Sequence, residues 1–229
     1  MTALPRFTPV AEHALLVQLA EEVGDRAARA VLALDKALAD RPPEGLVEVV
    51  PALVNLLVEF DPVVTDHADM QAAVAALLDH APDHAPEVAT HDVAVCYDPD
   101  LGPDLAAVAR ATGQSEEAVI AAHLGGGYRV GMYGFAPGYA YLTGLDPALH
   151  VPRKPTALRD VPAGSVIIAG PQCLVTTLKM PTGWSILGSS PARILTGDPS
   201  RPFLFNVGDH VRFTRIDRAA FEAMGGAPA

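Results

Sequence analysis

From Tyr128 to Phe213 the chain alternates short apolar runs with turn-forming glycine and proline, and this pattern rules out most architectures. The runs "YRVGMYGF", "SVIIAG", "CLVTTL", "WSILG", "ARIL" and "HVRF" are separated by "APG", "DP", "VPAG", "AGP", "MPTG", "SSP" and "VGD". Relative to alanine, a glycine inside a helix costs about 1 kcal/mol and a proline about 3 kcal/mol, so long helices are excluded here. Short strands joined by tight turns fit, and the spacing predicts a closed or nearly closed β-barrel. Two short helices are expected before it. One follows Gly102 and Pro103; the other has Ser115 as N-cap, with Glu116 and Glu117 where the helix dipole favours negative charge.

The first part reads as alternating strands and helices. "HALLVQL" (His13 to Leu19) is strand-like, and Glu22 to Ala39 carries Val23, Ala27, Ala30, Val31, Leu34 and Leu38 at helical spacing until Pro42 and Pro43 stop it. Two strands, Leu46 to Pro51 and Asn55 to Phe60, come next, then a helix capped by Asp66 and running to Leu78. "EVATHDVAVCY" resumes the β pattern. Strand, helix, strand, strand, helix, strand is the split βαβ order. The fold class expected is therefore α+β, with a small two-layer domain over 1–85 and a second domain over 86–229, divided at the proline-rich "APDHAPE" (Ala81 to Glu87), the strand after it being assignable to either side.

Composition narrows the partners. With 27 acidic against 16 basic residues the formal net charge is −11, which disfavours nucleic acid and anionic membranes. No basic-then-apolar leader and no membrane-length apolar run is present, so a cytoplasmic location is expected. Cys96 and Cys173 are far apart with no CxxC, which reads as two small buried hydrophobes rather than a disulfide or metal site. There is no GxxxxGK[ST], GxSxG or HExxH, and "HLGGGYRVG" lacks the GxGxxG spacing.

Two stretches could carry chemistry. In "GFAPGYAYL" (Gly134 to Leu142), Gly134 and Gly138 permit backbone conformations closed to other residues, and Pro137 stiffens the link between them. Phe135, Tyr139 and Tyr141 either plug the end of a barrel or present rings to a small ligand, with Arg153 able to grip a carboxylate or phosphate bidentately. In Val161 to Pro191, Gln172, Thr176, Thr177 and Lys179 interrupt an apolar region. Lys179 reads as a solvated strand-end residue, and Trp184, the sole tryptophan, is either barrel core or a pocket wall. His123, closing a helix before "GGGY", either complements the helix dipole or acts as a base.

Taken in order, "GFAPGYAYLTGLDPALHVPR", "VPAGSVIIAG", "PTGWSILGSSP" and "VGDHVRF" resemble the motifs of the 5-oxoprolinase B-subunit family, also called allophanate hydrolase subunit 1 or KipI-like. The motifs run from about His123 to Phe213, and the α+β opening is compatible with the family's amino-terminal domain. The resemblance implies a cyclophilin-like β-barrel in the second part. It implies a component, inactive alone, of an ATP-dependent complex opening 5-oxoproline to glutamate, or of a related amide-processing or carboxyltransferase-like complex. One partner would be the complex's C subunit, a biotin-dependent-carboxylase-like protein also called allophanate hydrolase subunit 2. The other would be its LamB/YcsF-type A subunit. ATP would be the cofactor, at a site the motifs do not locate. The family also contains KipI-like regulators that inhibit a sensor histidine kinase, and that is the alternative function.

Within this resemblance, Phe135, Pro137, Gly138 and Tyr139 would shape a substrate pocket, Trp184 would wall it and Arg153 would hold an anion. His123 or Gln172 would handle protons and hydrogen bonds; no metal is expected. Departures from the family pattern stand at Thr176 and Thr177 (commonly Tyr-Pro), at Thr182 and Gly183 (commonly Gly-Gly) and at Leu158 and Arg159 (commonly Pro-Arg), and are expected to lie along that pocket.

Overall fold

The structure, a computed structural model, describes residues 4–79 and 88–226. The proline-rich stretch Ala81 to Glu87 lies outside them. The chain divides into two compact units, Met1–Glu87 and Val88–Ala229.

In the first unit, β1 (Arg6–Val10) and β2 (Ala14–Gln18) form an antiparallel hairpin, α1 (Asp25–Asp40) follows, then β3 (Leu46–Ala52), β4 (Asn55–Phe60) and α2 (His67–Asp79). The sheet order is β1-β2-β4-β3 with every pair antiparallel, so β2 and β3 run the same way with β4 between them. Strict alternation in β4 buries Leu56, Val58 and Phe60 against Val31, Leu34 and Leu38 of α1 and Met70 and Val74 of α2. Asp66 caps α2 as expected, its Oδ1 accepting from the N–H groups of Ala68 at 2.9 Å and Asp69 at 3.0 Å.

The strand order corrects the sequence reading. The strand after α2 is not the fourth strand of this sheet; β1 fills that place. "RFTPV" carries Pro9, which cannot donate to a ladder and so conceals a strand unless the strand is at an edge.

The second unit opens with β5 (Thr90–Val95), followed by α3 (Leu105–Thr112), α4 (Glu116–Leu124), β6 (Tyr128–Tyr133) and β7 (Ala140–Thr143). After a 3-10 turn at Pro147–Leu149 come β8 (Leu158–Val161), β9 (Ser165–Ala169), β10 (Gln172–Val175), β11 (Met180–Thr182), β12 (Ser185–Ser189), β13 (His210–Arg215) and α5 (Arg218–Ala223). Its large sheet runs β5-β13-β6-β7-β10-β9-β12, antiparallel except for the parallel β5–β13 pair, and β8 pairs separately with β11. Ser115 caps α4 through its Oγ, as its position predicts.

Of the closed or nearly closed barrel expected, the closed form is not made. β12 meets the chain just beyond β5 only through an isolated bridge, in which Cys96 and Ser189 exchange two backbone hydrogen bonds of 2.8 and 2.9 Å. One bridge is not a ladder, so this is a curled open sheet. Its core joins Val93 and Val95 of β5 to Tyr128, Val130, Leu142, Val166, Ile168 and Phe213. No helix among the described residues is long and apolar enough to cross a membrane.

Candidate functional site

The "GFAPGY" loop between β6 and β7 is folded tightly on itself. Ala136 N–H donates to Gly134 O (2.8 Å), Tyr139 N–H to Ala136 O (3.1 Å) and Gly134 N–H to Tyr139 O (3.3 Å). Gly138 sits at φ +74°, a conformation that favours glycine, and a Cβ there would lie 2.8 Å from the Leu195 side chain and 3.0 Å from that of Thr177, both of which would have to shift. Thr177 Oγ1 donates to the Pro137 carbonyl at 2.6 Å and pins the corner from outside.

Phe135 also has a left-handed backbone, φ 69°, which a bulky L-residue adopts at a cost of roughly 1–2 kcal/mol. Its ring is 73% exposed and leans edge-on against Tyr139 at 5.7 Å. A strained, exposed aromatic contributes little to folding. Phe135→Gly should therefore leave stability unchanged or raise it by up to ~1 kcal/mol while weakening ligand capture. Chemical denaturation of the variant checks this; a clear loss of stability would assign the ring to the fold instead.

Phe135 and Tyr139 open onto a recess of about 110 Å³, shared with Tyr141, Arg153, Trp184 and the turn Pro181 to Gly183, with Ile167 of β9 and Leu174 of β10 as apolar lining. The indole of Trp184 is buried and meets Tyr141 edge-on at 5.8 Å. Arg153 lies over that indole, Cζ 5.6 Å from the ring centroid, a cation–π arrangement. Among the described residues no carboxylate pairs with Arg153. Its guanidinium is held by its face and keeps its N–H edge for an anion. Burial pushes the Tyr139 phenol up, and neighbouring Tyr141 adds to the effect, so Tyr139 keeps its proton and can donate.

The loop, Arg153 and Trp184, separated in sequence, are thus brought together as the motifs suggest. Phe135, Tyr139, Arg153 and Trp184 line the recess, while Pro137 and Gly138 shape the loop from the side facing Thr177 and Leu195. Tyr141 and Thr182 also line it; the alternation that puts Tyr139 and Tyr141 on one face is the available signal.

His123 and Gln172 are elsewhere. His123 is fully buried, its Nδ1 2.7 Å from Tyr97 Oη and its Nε2 3.5 Å from Cys173 Sγ, with the Phe213 ring 4.6 Å away. Burial lowers its pKa to about 3 and pushes the Cys173 thiol up. The expected proton handler is thus a neutral core imidazole that does not line the recess. Gln172 begins β10 opposite Ala169 across the Gly170–Pro171 turn and does not line the recess. Cys96 and Cys173 are buried and free.

The sequence departures divide between two places. Thr182 and Gly183 line the Arg153 recess, whereas Thr176 and Thr177 line a separate groove of about 450 Å³ with Gly164, Lys179, Ser190 and Arg193. The Thr176 hydroxyl is occupied there, donating to Pro162 O at 2.7 Å and accepting from Ser165 N–H at 2.9 Å. Lys179 is exposed and pairs with Asp160 at 3.2 Å. Leu158 and Arg159 are exposed on β8.

Residues 5–205 match the carboxyltransferase domain, subdomain C and D, family. The 5-oxoprolinase B subunit of Bacillus subtilis (strain 168) is 30% identical over 237 residues, covering 97% of this chain and 98% of that protein. The 5-oxoprolinase B subunit of Escherichia coli O157:H7 is 34% identical over 206 residues, covering 89% and 93%. Among solved structures, TTHA0988 superposes with a TM-score of 0.79 at 36% identity, covering 90% of this chain but 40% of that longer one.

Proposed function

This chain belongs to the 5-oxoprolinase B-subunit family of carboxyltransferase C and D domains, and from that premise we propose that it is the 5-oxoproline-capturing component of a heteromeric, ATP-dependent 5-oxoprolinase. The observation that carries the reading is Arg153, a cation without a carboxylate partner among the described residues, lying over Trp184 in a recess of about 110 Å³. That volume is far below the ~300–1,000 Å³ of pockets for drug-sized ligands. A five-membered lactam with one carboxylate is small, flat and singly charged. Arg153 would take the carboxylate bidentately, and Trp184 and Tyr141 would wall the ring.

Hydrolysis adds one water across the ring C–N bond and yields glutamate. The lactam carbonyl is a poor electrophile, so the reaction needs activation at the expense of ATP. The recess is too small for a nucleotide, and no phosphate-cradling sequence is present. The residues of the recess do not fit ATP, so no step through the nucleotide is assigned to them. This chain binds and orients the lactam and shields it from water.

A partner is supported by the size relation with TTHA0988, where this chain matches 40% of a longer polypeptide with room for a second module. In this reading the partners are the biotin-dependent-carboxylase-like C subunit and the LamB/YcsF-type A subunit. The relatives above carry the enzyme's name, so the kinase-inhibitor alternative has no support and is set aside.

The test is reconstitution. This chain, mixed with those two partner proteins, should convert 5-oxoproline to glutamate with ATP consumption, and omission of any one should abolish turnover. Turnover without this chain would end the proposal, as would a stable complex inert toward 5-oxoproline.

A further inference from the structure

We propose that Asp104 and Lys154, neither of which lines the recess, are positioning residues that hold Arg153 over Trp184; the proposal rests on the reading of that recess as a carboxylate site. Asp104 occupies the N-cap of α3, where an aspartate ordinarily accepts from the first-turn N–H groups. Here it makes no side-chain cap hydrogen bond. Its Oδ2 instead accepts from Ile186 N–H on β12 at 2.8 Å and from Lys154 Nζ, forming an ion pair whose two side chains are only 20% and 18% exposed. A cap worth about 1 kcal/mol has been diverted to a tether.

The backbone explains how the carboxylate reaches β12. A Cβ on Gly102 would stand 2.2 Å from Leu187 O, so only glycine lets the chain entering α3 come this close to the strand. Asp104 N–H then donates to Ile186 O at 3.1 Å, making a two-way connection with the same residue. Across from it, the Arg153 segment is fixed at both ends: Val151 O accepts from Gly170 N–H (2.7 Å), and Lys154 N–H donates to Gly183 O (2.6 Å). Gly183 immediately precedes Trp184. The ion pair therefore ties the residue after Arg153 to the strand that follows Trp184, fixing ring and guanidinium in one frame. Charge on both partners matters, because a half-buried pair that loses one member leaves the other uncompensated.

Trp184 is the only tryptophan, so its fluorescence reports this frame in the full chain without added partners. Two readouts separate the claims: acrylamide quenching of Trp184 in the unliganded protein, and titration with 5-oxoproline. Asp104→Asn keeps an acceptor for Ile186 N–H and removes the charge; Lys154→Met removes the other partner. Each should raise the acrylamide quenching constant by ~2-fold and weaken 5-oxoproline binding by ~10-fold, in the range for residues coupled within one network. In an Arg153→Met background, Asp104→Asn should add less than ~2-fold, because it acts through Arg153. Lys154→Arg should restore both readouts.

Unchanged quenching, or the same Asp104→Asn penalty with and without Arg153, would overturn the positioning role. If the parent protein does not bind 5-oxoproline, the substrate reading fails, while quenching alone still decides whether the pair holds the frame. Should Asp104→Asn fail to fold, Lys154→Met carries the same decision.

Discussion

Arg153→Met is expected to lower kcat/KM for 5-oxoproline in the reconstituted complex by ~100-fold or more while leaving the fold intact. Charged hydrogen bonds contribute roughly 1.5–3 kcal/mol each, and a guanidinium fork makes two to a carboxylate. The side chain rests on the face of Trp184 and has no carboxylate partner among the described residues, so little in the fold depends on its charge. For the same reason the variant should unfold within about 0.5 kcal/mol of the parent. Arg153→Lys keeps the charge but not the planar fork, and should fall between the two, ~10-fold down. Steady-state kinetics beside Trp184 titration distinguish binding from chemistry; an unaltered kcat/KM would take Arg153 out of the site.

The second large effect is on stability and comes from His123. Replacing it with leucine should destabilise the protein by ~3–5 kcal/mol, because the Tyr97 hydroxyl loses its buried hydrogen-bond partner and a well-packed ring is replaced by a different shape. The native ring, with a pKa lowered to about 3, stays neutral where the unfolded chain, near 6.5, takes up a proton. The unfolded state therefore binds more protons across that window. The ring's contribution is fully present above about pH 6.5 and declines by ~1.4 kcal/mol per unit as pH falls toward 3. His123→Leu should lack this component, so urea unfolding at pH 7.5 and pH 5 should show a smaller acid loss in the variant. Equal pH dependence in both proteins would contradict the buried neutral imidazole.

Legibility in the sequence follows the range of the forces involved. Strand β4 and the caps Asp66 and Ser115 are readable because alternation and capping are local. Strand β1 is hidden by Pro9. Closure of the sheet is not legible either, since short strands with tight turns do not say whether the two edges meet along a ladder or at one bridge. Phe135, Arg153 and Trp184 are identifiable by residue type and motif, although their convergence is visible only in the fold. His123 misleads because a histidine at a helix end looks the same in sequence whether it faces solvent or core. Asp104 gives no signal beyond a capping residue in its usual position; its diversion depends on a strand 82 positions later.

The parallel pair β5–β13 has a consequence for how the protein is made. The first unit draws its sheet from neighbouring segments and has all its strands once residue 60 has left the ribosome. β5 cannot follow. Its partner includes Arg212, 120 residues beyond Asp92, with which it forms a two-pronged ion pair across the two strands. Until residues 210–215 have been made, Val93 and Val95 lack the strand beside which they are buried, and contacts of such long sequence separation form slowly. A ribosome-stalled chain ending before residue 210 should be protease-resistant in its first unit, while β5 and the part of the core it shares with β13 stay open to digestion.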